Sequence, residues 1–107
     1  MRWLKNLRER FSPTRRLVIH DDDSLPAKLP RRDLVVARDG GEDWAAGMMC
    51  PCGCNEVLEL MLVPEVRPRW RLVVDDKRRP SLHPSVWRDT GCRSHFWLQQ
   101  GRVRWCE

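Results

Sequence analysis

The chain has no tyrosine, no long apolar run, no segregated block of one charge and no even number of cysteines. Each lack excludes something. Residues 1–11 are too charged for the apolar region of an export signal, and no stretch approaches the ~18 apolar residues of a membrane span. Cytoplasmic thiols are therefore expected to stay reduced, and five is an odd number for a disulfide framework. Hydrophobic residues make up 41% and charged residues 33% of 107, with eight prolines. A core that small needs a staple. The net charge of +5 is spread evenly, with ten Lys/Arg against eight Asp/Glu in residues 1–47 and ten against seven in residues 48–107. A dedicated nucleic-acid binder more often segregates its charge. Arg67, Arg69, Arg71, Lys77, Arg78 and Arg79 lie near Glu65, Asp75 and Asp76, so they read as solvated surface, and no specific nucleic-acid partner is expected.

What the chain does have is thiol density. Cys50-Pro51-Cys52-Gly53-Cys54 places three cysteines in five residues, and Cys92 and His95 follow at C-x-x-H spacing. Soft thiolates converging on a turn that Gly53 lets fold suit Zn2+. The ligand set has two forms: Cys50, Cys52, Cys54 and Cys92 as a closed four-thiolate site, or two of the first three with Cys92 and His95. The four-thiolate set is preferred because it gives every residue of the two motifs a task. Cys106 is the expected outsider.

The pattern divides near Gly47. Residues 1–47 are expected to hold a short amphipathic helix over 1–11, with Trp3, Leu4, Leu7 and Phe11 on its apolar side, docked on the chain itself or on a partner. Strands at Leu17-Val18-Ile19 and Leu34-Val35-Val36 follow, separated by a solvated acidic loop, with a linker or hairpin tip at residues 40–43. Residues 48–107 are expected to form a zinc-stapled antiparallel β-domain. Its strands run over 56–63 and 70–74, and a C-terminal hairpin turns at Gly101. Six tryptophans suit a compact sheet whose indoles stand in for a large core, so Trp44, Trp70, Trp87 and Trp105 read first as packing. The fold class is mainly β, a small α+β domain.

Taken together, CPCGC, a strand, Trp70 in a second strand, Leu82-His83-Pro84-Ser85-Val86-Trp87, Cys92-Arg93-Ser94-His95-Phe96-Trp97 and Gly101-x-Val103-x-Trp105 carry a resemblance. Over residues 48–106 the chain resembles a small bacterial family long described as a domain of unknown function. Members of that family occur beside genes for ubiquitin-like proteins and for activating and conjugating enzymes of the ubiquitin type. The resemblance implies a role in such a pathway, with these proteins as partners. The post it suggests is a peptidase that matures the modifier or removes it from targets.

Peptidase chemistry needs a nucleophile or activated water, a base and an oxyanion site. The candidates are Ser85, Ser94 and His95, with His83 as a second base. Adjacent Ser94 and His95 would point to opposite faces of a strand, which makes Ser85 the easier partner for His95. If His95 instead ligates zinc with a position left open, the metal could activate water, with Ser94 beside it. A spare cysteine could also act as nucleophile. Two further classes stand beside the peptidase: a non-catalytic zinc module that binds the modifier or its conjugating enzyme, and a nucleic-acid-binding zinc protein.

Overall fold

The computed structural model describes residues 2–88 and 91–106; Met1, Asp89, Thr90 and Glu107 lie outside it. One helix, α1 (Arg2–Arg10), precedes eight strands: β1 (Leu17–His20), β2 (Leu34–Asp39), β3 (Glu42–Met49), β4 (Val57–Met61), β5 (Arg71–Val74), β6 (Pro80–Trp87), β7 (His95–Gln99) and β8 (Arg102–Trp105). They form two four-stranded sheets ordered β1-β2-β3-β4 and β5-β6-β7-β8. Every pairing is antiparallel except β1 with β2. The mainly β class with a short N-terminal helix is the one expected.

The two sheets share one core. Leu34, Val36, Ala46, Met48, Leu58 and Leu60 of the first sheet cluster with Leu82, Val86, Phe96, Leu98 and Val103 of the second. Strands β2 and β3 are also covered on their other face, where Val35, Ala37 and Ala45 are buried. A Cβ on Gly47 would come within 2.7 Å of Leu25, so this glycine makes the room into which the 21–33 loop packs its leucines. Burial on both faces explains the unbroken apolar runs of these strands. Gly47, where the chain was expected to divide, lies inside β3, which pairs with β2 on one side and β4 on the other.

Two hairpins close on two-residue turns. Gly40 and Gly41 (φ 61° and 75°) join β2 to β3, and Gln100 and Gly101 (φ 50° and 75°) join β7 to β8, the left-handed pair that such tight turns require. Gly101 is also wedged, because a Cβ there would meet the Arg15 carbonyl at 2.6 Å.

Helix α1 does dock on the chain, but with its polar side. The exposed edge of β8 has N–H groups without a strand neighbour, and α1 supplies acceptors. Val103 N–H donates to Glu9 Oε2 (3.1 Å) and Trp105 N–H to Asn6 Oδ1 (2.9 Å). Such cover blunts an edge that would otherwise pair with other chains. The expected apolar side faces outward instead, with Trp3 62% and Phe11 82% exposed. Glu9 is buried and also accepts from Arg15, which is buried too and whose pKa burial lowers. Glu9→Ala would leave a buried guanidinium unpaired and free the Val103 N–H of β8. We expect a loss of about 3–5 kcal/mol, read by denaturant unfolding. Among the described residues no helix is long and apolar enough to cross a membrane.

Candidate active site and metal centre

Two hairpin loops, one from each sheet, meet at one end of the molecule. Residues 50–56 connect β3 to β4, closed by Cys50 N–H donating to the Glu56 carbonyl at 2.8 Å and shaped by Gly53 (φ 90°) and Asn55 (φ 66°). The second loop connects β6 to β7 and carries Cys92. The sulfurs of Cys50, Cys52, Cys54 and Cys92 all lie within 4.8 Å of one another, with Cys50 3.4 Å from Cys52 and 3.6 Å from Cys92. Four sulfurs at about 2.3 Å from a tetrahedral metal stand about 3.8 Å apart. The donor set therefore fits a metal ion with no change of fold. These are the four cysteines of the preferred expected set; Cys106 stands apart, its N–H bonded to the His95 carbonyl.

Polar neighbours tune the thiols unequally. Burial pushes Cys50 up to about 12, whereas hydrogen bonding with Ser94 first, then the nearby thiols, brings Cys92 down to about 6. Ser94 is 7% exposed, with its hydroxyl 3.1 Å from Cys92 Sγ and 3.8 Å from Cys50 Sγ. Arg88 reaches Cys54 (3.9 Å), Cys92 (3.7 Å) and Glu56 (3.3 Å), a cation set over the sulfur cluster.

Ser85 and His95 meet on the outer face of the second sheet. Their neighbours Val86 and Phe96 are paired and buried, so alternation sends Ser85, Trp87 and His95 to the opposite face. Ser85 Oγ lies 3.0 Å from His95 Nε2. A register irregularity brings it there: between Leu82↔Leu98 and Val86↔Phe96, β6 inserts His83, Pro84 and Ser85 opposite Trp97 alone. Bulges of this kind re-aim side chains beside functional sites. The Ser85 carbonyl is held by the Trp70 indole N–H at 3.3 Å. Trp87, 70% exposed, stacks on the His95 ring with centroids 4.6 Å apart and planes 10° off parallel.

The structure thus sorts the four candidates. Ser85 and His95 come together; Ser94 goes to the sulfur cluster; His83 meets Trp97 edge-on at 6.3 Å. No hydrogen bond among the described residues joins His83 to a serine. Sequence reasoning missed the roles of Trp70, Trp87 and Arg88. Only Trp87 left a signal: at i+2 from Ser85 in an extended strand, it must share the serine's face.

The two sites are mechanically joined. Arg88, directly after Trp87, donates its N–H to the carbonyl of Ser94, directly before His95, at 2.8 Å. The loop that holds Cys92 therefore starts directly after Trp87, which stacks on His95, and ends directly before His95. Comparison with curated proteins and with solved structures gives no match. A family model described as the bacterial ubiquitination-like system serine protease (BubE) matches residues 21–106, from the loop after β1 to the end of the described chain, and the chain belongs to that family.

Proposed function

We propose that this chain is a zinc-stapled serine peptidase that hydrolyses the bond following the C-terminus of a bacterial ubiquitin-like modifier, maturing it or releasing it from conjugates. One observation carries the reading: a serine hydroxyl within hydrogen-bond reach of an imidazole, on an open sheet face, in a family described as serine proteases. Partners on this reading are the modifier and the enzymes that activate and conjugate it, in a reducing cytoplasm.

In the tautomer protonated at Nδ1, His95 Nε2 accepts the proton of Ser85 Oγ as the oxygen attacks the scissile carbonyl carbon. The same nitrogen returns that proton to the leaving amine, and the modifier stays on Ser85 as an ester. Water then attacks the ester with His95 again as base, and Ser85 regains its proton. Nothing among the described residues hydrogen-bonds the imidazole as an acid would; Trp87 holds its plane instead. Trp87→Ala should lower kcat roughly three- to tenfold with little change in KM, and Trp87→Phe should restore most of it.

Cys50, Cys52, Cys54 and Cys92 would hold zinc, and a closed thiolate set supplies a cross-link, leaving no position for substrate. Ser94 and Arg88 support the sulfurs. The deciding experiment incubates the protein with the ubiquitin-like partner of its system, extended by a few C-terminal residues. The expected result is loss of the extension by mass. An intact partner after prolonged incubation, with zinc bound, would leave the non-catalytic binding module as the better account.

A further inference from the structure

Strand β6 runs further than its neighbour β5. Their register ends at Arg71↔His83, because Trp70 turns its N–H to the Met61 carbonyl of β4 (2.8 Å) and the chain leaves the second sheet. Beyond that point the β5 side of β6 has no strand among the described residues.

Backbone direction alternates along a strand, so the ladder shows which groups face that side. Arg88 N–H bonds to Ser94 of the β7 side, as the Gly101 N–H does to the Pro80 carbonyl at the other end. Even-numbered positions of β6 therefore turn toward β7 and β8, and odd-numbered positions turn toward β5. Asp75 N–H donating to the Arg79 carbonyl sets the same parity from the β5 side, so Ser81 and His83 bond β5 there. At Ser85 the carbonyl is taken by the Trp70 indole. At Trp87 both the N–H and the C=O face the gap. The Trp87 side chain is drawn off over His95.

We propose that the substrate's extended C-terminal segment fills this gap as a short added strand. One of its residues exchanges both backbone hydrogen bonds with Trp87 while the scissile carbonyl reaches Ser85 Oγ two residues away. This rests on the Ser85–His95 reading and adds how the substrate is held. Strand addition recognises backbone rather than side chains, which suits an enzyme that must accept one modifier tail joined to many different targets. It also explains why β5 stops where it does: a longer β5 would occupy the substrate's place.

The test uses a synthetic peptide of the last six residues of the ubiquitin-like partner, carrying a coumarin amide as leaving group. Each peptide N–H is replaced in turn by an ester oxygen. One position should weaken kcat/KM, and inhibition by the matching non-cleavable peptide, about tenfold, with both neighbours unaffected. In parallel, labelling of Ser85 by a fluorophosphonate reports the Ser85–His95 pair without needing a peptide. Equal sensitivity at all positions, or at none, with labelling intact, overturns the added strand. So does a peptide that neither turns over nor slows labelling. Absent labelling of Ser85 would instead strike the serine–histidine reading on which the proposal rests.

Discussion

Ser85→Ala should abolish turnover of the modifier while zinc content and the thermal transition stay those of the parent protein. The serine is half-buried on the outer face of β6, and its hydroxyl contacts the imidazole rather than the core. Losing one hydroxyl there leaves no cavity, so the change is confined to chemistry. His95→Ala should lower kcat by about 10²–10⁴ or more, because the same nitrogen serves both the acylation and deacylation steps. Removing both groups together should cost little more than removing either, since they act as one unit. Ser94→Ala is the informative contrast. Its hydroxyl supports Cys92, so the variant should hold zinc less tightly yet turn over normally when zinc-loaded. A zinc-loaded Ser94→Ala protein without activity, beside an active Ser85→Ala protein, would reverse the two serines. Zinc loss in His95→Ala would make the imidazole a ligand.

The parts of this site that lie close in sequence were legible there. Thiols at positions 50, 52 and 54, with Gly53 between the last two, point to a turn that could hold a metal, and Cys92 is the one remaining cysteine inside a motif. Alternation alone separated Ser94 from His95, since neighbours on a strand face opposite ways. The contact of Ser85 with His95 was harder to see, because it depends on the inserted residues of β6, and nothing in His83-Pro84-Ser85 states how far β7 stands in register. Strand β3 was hidden for a different reason. Asp43-Trp44-Ala45-Ala46-Gly47-Met48-Met49 is poor in the β-branched residues of an ordinary strand, and it is extended because it is buried between β2 and β4. Helix α1 shows the opposite error. Its apolar stripe was plain, yet the docking side was chosen by the unsatisfied N–H groups of the β8 edge.

Removal of the metal should unfold the protein. The four sulfurs come from hairpin loops of two different sheets, 50–56 and the β6–β7 connection, so an ion held by them would tie the sheets together. Structural four-ligand zinc sites contribute on the order of 10 kcal/mol, comparable with the whole stability of a small domain, about 5–15 kcal/mol. Chelation should therefore abolish the cooperative thermal transition, with recovery when zinc is returned under reducing conditions. Cys50→Ser should do the same permanently, since Cys50 is only 4% exposed and stands between Cys52 and Cys92. Cys106→Ser should be mild, within about 1 kcal/mol, because that thiol stays outside the sulfur cluster. Elemental analysis finding no zinc in protein purified without chelator would end this account. Cobalt separates a cross-link from a catalyst: a closed thiolate set predicts the same kcat for the cobalt and zinc proteins at equal occupancy. A kcat that follows the identity of the metal would mean that a coordination position is open to substrate or water. Ser85 and His95 would then share the chemistry with the ion.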